Sequence, residues 1–385
     1  VTSTVQQAVA AIDHDEVLAL TKAICSIPSQ ATNEAEVAEI VAEHVDVPGV
    51  DVHLEDVVEG RANVIATVKG TGERPPLVIN GHMDASIPDE GWTHDPYDPW
   101  IDGGRMYGAG ITDMKGAVAA MAVATKAAAG MAPPPGDLIF QAVMHHDTIG
   151  LGTKFILASE GPTEGFAICG EPSGLTVHTA NAGALKFSVT FKGETGHISR
   201  MEGSRDAMAG AIRAYDALLA LDVPHEPHPQ LPDLPRMLVG QVQGGIAPGA
   251  VADDVVLKGD LRIVPGMHRA EVRELLEQTA RTAAGEGIEV KTRILAAQKP
   301  FIGPTSGRLV DAVLAAHEQV LGRPSRVNSD LPGQAFVTDA ADLAHFGLET
   351  VVYGVGEWYF APNESVAIDE LVGSAAVYLA VAHDL

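Results

Sequence analysis

Apolar residues recur at helical spacing from Asp15 to Ser26 and again from Glu34 to Val45, with acidic residues crowding each first turn, and predict two helices early in the chain. Two β-rich runs follow, 63–68 and 76–80, and the second empties straight into Gly81-His82-Met83-Asp84, a strand feeding a loop. The alanine- and methionine-rich stretch 115–129 predicts a buried helix; a Pro-Pro-Pro-Gly run ends it, and 138–144 reads as the next strand. Strand, loop, helix, strand is the pattern of an α/β sheet, whose strand ends are the usual place for a site.

The middle of the chain changes style. Weak alternation over 175–192 predicts strands, 204–221 a helix, 237–243 and 255–264 strands, 268–284 a helix and 288–295 a strand. That is the βαββαβ order of a split α+β sandwich. Helices over 306–321, 335–346 and 368–383, with a strand at 350–353, then resume the first style. An α+β domain inserted in a discontinuous α/β domain accounts for the order, and 385 residues exceed the roughly 250–300 at which single cores stop growing.

Composition narrows the function. Hydrophobic residues make up 46% and charged residues 20%, enough to fill folded cores. Fifty-one acidic against 25 basic residues leave a net charge of −26, which repels phosphodiester backbones and anionic lipid, so neither nucleic acid nor membrane is an expected partner. Cys25 and Cys169 are the only cysteines and offer no disulfide framework or CxxC site, which makes a reducing cytoplasm the expected location. The first residues lack a basic and a sustained apolar segment, and no apolar run approaches the ~20 residues that span a bilayer, so export and membrane insertion are not expected.

His82 follows a strand with Asp84 two residues on, a spacing that lets one side chain bind a metal while the other orients a neighbour. Asp113 lies in a glycine-bounded loop ahead of a helix, and Glu171 follows another short strand. Three potential ligands at the ends of separate sheet elements form a stronger signal than any one of them.

The segments GHMDASIP, GAGITDMKG, HDTIGLGTK, ICGEPSG, GETGHIS, GDLRIVPG and YGVGEWYFAPNES resemble, in order and spacing, the M20-type metallopeptidase and amidohydrolase family that includes acetylornithine deacetylase, succinyl-diaminopimelate desuccinylase and carboxypeptidase G. The resemblance covers nearly the whole chain. It implies a catalytic domain at 1–179 plus 291–385 and a lid and dimerisation domain at 180–290, and hence a homodimer or higher homo-oligomer. In that family two metals share an aspartate, here Asp113, and His82 and Glu171 match further ligands of one of them. The second metal's own ligands are replaced by Thr148 and Phe360, which implies one divalent transition metal per chain, manganese or zinc, with oxygen-rich ligation tilting toward manganese.

The family's general base falls on Asp147, one methylene shorter than the usual glutamate. His145 and His146 beside it are expected on opposite sides of the strand, as hydrogen-bonded neighbours of the site or as the source of a replacement ligand. His197 matches a lid histidine that stabilises the oxyanion in the partner's site, and Arg262 a lid arginine that clamps a substrate carboxylate. Trp358, Tyr359 and Phe360 stand where a metal ligand is usual and are expected to line the pocket.

The expected activity is hydrolysis of a non-peptide carbon–nitrogen bond in a small, carboxylate-bearing and aromatic molecule by metal-activated water. One form is amide hydrolysis. The other is hydrolytic deamination of an activated aromatic amine, as in nitroanthranilate aminohydrolases. A non-catalytic metal-binding pseudoenzyme is the remaining reading.

Overall fold

A computed structural model describes residues 4–30, 33–146, 150–159, 161–328, 334–357 and 361–385. The chain divides into two compact units. One comprises Val1–Asn181, Phe301–Gln334 and Thr338–Leu385; the other comprises Ala182–Pro300 and Ala335–Val337.

The first unit is built on a mixed six-stranded sheet in the order β1 (Val50–Val58), β2 (Arg61–Val68), β6 (Leu138–Val143), β3 (Leu77–His82), β7 (Phe166–Cys169), β14 (Glu349–Val352). Strands β6, β3, β7 and β14 run parallel, while β2 joins β6, and β1 joins β2, antiparallel. Two short sheets accompany it: β4 (Trp100–Asp102) and β5 (Arg105–Tyr107) with β15 (Ser365–Ala367), and β8 (Ala180–Asn181) with β13 (Phe301–Ile302).

The helices of this unit are α1 (Thr4–Ala11), α2 (His14–Cys25), α3 (Ala35–Val45), α4 (Gly116–Ala129), α5 (Leu151–Ser159), α8 (Arg308–Leu321), α9 (Ala340–His345) and α10 (Ile368–Asp384). Asp13 caps α2 by accepting from the backbone N–H groups of Asp15 and Glu16. Helix α4 is apolar on nearly every side because it is enclosed by α2, α3, α10 and the sheet, and its small alanines permit that close approach. At Gly170, just past β7, a Cβ would come within 2.5 Å of the Met121 side chain on α4. A core on this face and a smaller one around Val78, Ala167, Phe301 and Leu343 bury the sheet on both sides.

The second unit runs β9 (Gly183–Lys192), α6 (Ala207–Leu219), β10 (Arg236–Gly244), β11 (Asp254–Ile263), α7 (Arg269–Ala284), β12 (Glu289–Gln298). Its strands form an antiparallel sheet in the order β10-β11-β9-β12, and α6 and α7 pack against it over Phe187, Val189, Leu218, Leu257 and Leu276. The α/β fold with a βαββαβ insertion expected from the sequence is therefore present. Strand β12 crosses position 290, expected as a domain boundary, because its pairing with β9 continues to Gln298 opposite Ala184. Strand β1, helix α1 and helix α5 lie where no element was expected, and of the helix expected over 335–346 only α9 is helical.

Candidate metal centre

Three of the parallel strands deliver the site. His82 is the last residue of β3; His146 follows the end of β6 by three residues, and Glu171 follows the end of β7 by two. Since β3 pairs with both β6 and β7, the three side chains emerge together at the carboxyl ends of adjacent strands. One ligand atom from each lies within 4.8 Å of the others, and all three residues are buried. The two imidazoles stack with centroids 4.5 Å apart and planes 8° from parallel.

The hydrogen bonds orient the rings. Nδ1 of His82 donates to the carbonyl oxygen of Asp84 at 2.8 Å, and Nδ1 of His146 meets Oδ1 of Asp339 at 2.9 Å. An acceptor on each Nδ1 turns the Nε2 atoms inward, where His146 Nε2 is 3.3 Å and His82 Nε2 is 3.8 Å from Glu171 Oε1. That oxygen is buried and finds no hydrogen-bond donor. Asp84 also steadies the second ring, because its Oδ1 accepts from the His146 backbone N–H at 3.0 Å.

Asp113 sits in the irregular turn Ile111–Lys115, and its Oδ1 is 3.2 Å from His82 Nε2. The turn is anchored by Glu364, whose carboxylate accepts from the Gly110 N–H and the Thr112 hydroxyl, and by the fully buried Lys115, which donates to the Ile27 carbonyl at 2.7 Å. Gly110 has φ of +75°, and a Cβ there would lie 2.8 Å from Ala85.

Electrostatics fit a cation. Burial pushes the His82 imidazolium toward neutrality, but Asp113, Glu171 and Asp84 pull the other way and its pKa ends well above the usual value. The same contest, with Asp339 and Glu171 as the attracting charges, takes His146 up to about 9. Burial raises the Glu171 carboxyl to about 8 in spite of both histidines. Asp339 would also be raised by burial, yet His146 and the Thr153 hydroxyl hold it at about 2. Imidazoles that grip protons and a carboxyl that resists ionising mark a buried site short of positive charge, which a divalent metal supplies. The orphaned Glu171 oxygen and the two inward Nε2 atoms suit such an ion.

The other expected residues lie as follows. His145 belongs to a separate cluster: it adopts φ of +58°, its Nδ1 accepts from Arg61 at 3.1 Å and its N–H donates to Glu34 at 3.1 Å. His197, in the second unit, is exposed; its Nδ1 accepts from the Ser199 backbone N–H at 3.2 Å, which places the proton of a neutral ring on Nε2. Arg262 is engaged by Asp260, with Nε 3.1 Å from Oδ1. Asp147, Thr148, Trp358, Tyr359 and Phe360 lie outside the described residues. Sequence reasoning passed over Asp339, Thr153 and Glu364. Glu364 lies in a segment that carried the family resemblance, whereas Asp339 stood inside an expected helix and gave no local signal.

Residues 78–384 match the family described as Peptidase family M20/M25/M40. An N-formyl-4-amino-5-aminomethyl-2-methylpyrimidine deformylase from Halalkalibacterium halodurans is 27% identical, covering 96% of this chain and 95% of its own. An acetylornithine deacetylase from Edwardsiella ictaluri is also 27% identical, over 95% of this chain and 97% of its own. The fold matches the di-peptidase Dug1p of Saccharomyces cerevisiae with a TM-score of 0.81 at 14% identity, covering 99% of both chains. Among the described residues no helix is long and apolar enough to cross a membrane. With a buried His/His/Glu metal site at its strand ends and the family pattern extending from 78 to 384, the chain belongs to peptidase family M20/M25/M40.

Proposed function

We propose that the protein hydrolyses a carbon–nitrogen bond, an amide first of all, in a small carboxylate-bearing molecule with an aromatic body, using one divalent cation per chain. The observation that carries this reading is the convergence of His82 Nε2, His146 Nε2 and Glu171 Oε1 on one buried point, with Asp113 beside it. A cation held there would supply Lewis acidity toward a substrate oxygen and lower the pKa of water. Two imidazoles and one carboxylate match catalytic zinc; counting Asp113 as a further oxygen donor keeps manganese as the alternative.

The remaining roles fall to the chain's own groups. Asp147, adjacent in sequence to His146, takes the proton from the attacking water and returns it to the leaving amine. His197 donates from Nε2 to the negative charge developing on the substrate oxygen, in a homodimer where it serves the partner's site. Arg262 binds the substrate carboxylate by exchanging it for Asp260. A pocket beside Asp113 is lined by the apolar Ile87, Pro88 and Trp92 together with the polar Ser86, Asp89, Thr112 and Glu364; its apolar and aromatic part is a surface that Trp358, Tyr359 and Phe360 are proposed to extend. The deformylase among the relatives, named for a substrate with an N-formyl group and a pyrimidine ring, supports an amide on a flat body.

Deamination of an activated aromatic amine is the second reading, favoured by Thr148 and Phe360 at positions where the family places metal ligands. Zinc- or manganese-loaded protein should be offered N-acyl amino acids, N-acyl aminobenzoates and a nitroanthranilate. Release of a carboxylic acid with an amine supports the first reading, and release of ammonia alone selects the second. No turnover of any of them, together with unchanged metal binding in His82→Ala and Glu171→Gln, sinks both.

A further inference from the structure

We propose that Asp339 is the positioning residue of the metal centre: it holds His146 by Nδ1 so that Nε2 faces the cation, and Thr153 holds Asp339 in turn. The inference rests on reading His82, His146 and Glu171 as the cation's ligands. The sequence offered His146 as a neighbour of the site or a replacement ligand, but gave no role to Asp339, which stood inside an expected helix.

The geometry forms one directed chain of hydrogen bonds. An ionised carboxylate only accepts, so the Thr153 hydroxyl donates to Asp339 Oδ2 at 2.6 Å and His146 Nδ1–H donates to Oδ1 at 2.9 Å. With its proton committed, the Thr153 oxygen accepts from Asn80 Nδ2 at 3.1 Å, and that amide nitrogen also donates to Gln141 Oε1 at 3.1 Å. Gln141 is on β6, Asn80 on β3 and Thr153 on α5, so the chain ties His146 to the elements that carry it and its neighbour His82. Asp339, Thr153, Asn80 and Gln141 are all buried, at 2% exposure or less.

The backbone leaves room for this arrangement. Gly150 has φ of +62°, and a Cβ there would stand 2.6 Å from Asp339 Oδ1, the oxygen that holds the ring. A buried carboxylate is costly unless fully paired, and Asp339 spends one oxygen on the imidazole and the other on the hydroxyl. His82 is held differently: the Asp84 main-chain carbonyl accepts from its Nδ1 at 2.8 Å, with the Asp84 carboxylate farther off at 3.6 Å.

Removing a hydrogen-bond partner of a metal-bound histidine typically weakens metal affinity by about 10–100-fold. The test titrates Zn2+ into metal-free full-length protein against a chromophoric chelator, for wild type, Asp339→Asn, Asp339→Glu, Thr153→Val, His146→Ala and His82→Ala, with 15N shifts reporting the His146 tautomer. Asp339→Asn should weaken Zn2+ binding within that range and shift the metal-free His146 ring, read at a pH where it is neutral, toward the Nε2–H form, with Asp339→Glu recovering part of the affinity. Thr153→Val, which keeps both the carboxylate and the ring, should weaken binding by a few-fold and serves alone if Asp339→Asn does not fold.

Wild-type affinity in Asp339→Asn, or in Thr153→Val when it stands alone, alongside lost binding in His146→Ala overturns this inference and leaves the metal site intact. Wild-type affinity in His146→Ala with loss in His82→Ala removes His146 from the ligands, and the inference with it. Wild-type affinity in both histidine variants overturns the metal reading itself.

Discussion

The six-stranded and four-stranded sheets treat polar residues in opposite ways. Every residue of β3 is buried, because helices cover both faces of the parallel part of the mixed sheet, whereas β10 on the edge of the antiparallel sheet is exposed along most of its length. A polar side chain in the first sheet must find partners or be costly, so Asn80, Gln141 and His82 are informative where they stand. A polar side chain on β10 meets water and costs little.

Two ion pairs make the contrast quantitative. Arg61 reaches Glu34 at 2.6 Å in the first unit, and Arg205 reaches Glu194 at 2.6 Å in the second. The side chains of the first pair are 14% and 1% exposed; those of the second are 53% and 56%. Equal lengths do not imply equal energies, since solvent screens the second pair and leaves the first to satisfy itself.

The largest expected effect is at the strand ends. Glu171→Gln keeps the shape but removes a charged ligand, and activity should fall by roughly 10³-fold or more, corresponding to about 4 kcal/mol of transition-state stabilisation. Steady-state kinetics with saturating metal checks it, and near-wild-type turnover would detach the buried cluster from catalysis.

Next comes Arg61→Ala, which strands the Glu34 carboxylate inside the protein and should lower unfolding free energy by about 3–5 kcal/mol in urea titrations. It also removes a donor to His145 and weakens the hold on the segment leading to His146. A loss below about 1 kcal/mol would erase the distinction between the two pairs.

His178 gives a pH test of burial in the first unit. Burial, aided by Arg326, lowers its pKa to about 4 from the ordinary imidazole value of about 6.5. The unfolded chain therefore binds a proton that the folded chain refuses, and stability is lost as pH falls from about 6.5 to about 4. The loss should reach about 2 kcal/mol at pH 5 and about 3 kcal/mol at pH 4. The difference in unfolding free energy between wild type and His178→Gln, measured across that window, isolates it; a difference independent of pH would refute the assignment.

The smallest effect is expected from Arg205→Ala, below about 1 kcal/mol in the same urea assay and smaller still at high salt. A loss comparable to that of Arg61→Ala would show that the exposed pair is stronger than its surroundings suggest.

Most of the helices and the βαββαβ insertion were legible because apolar spacing records which face of an element is buried. Strand β1 was missed although Val50, Val52 and Leu54 alternate with polar residues: Glu55 and Asp56 break the alternation, and none of its residues is buried. Helix α5 follows a segment dominated by motif residues, and its nine residues are too few for a clear period.

By itself the sequence determined the family, the discontinuous α/β architecture with its insertion, and the placement of His82, Asp113 and Glu171 in or beside strand-end loops, because these follow from local periodicity and ordered motifs. Only the tertiary structure decided that His146 turns toward Glu171 while His145 turns toward Arg61, and that Asp339, 193 positions away, holds the His146 ring. Neighbours in sequence share no environment once a residue with φ of +58° stands between strand and loop, and residues far apart share one when parallel strands end side by side.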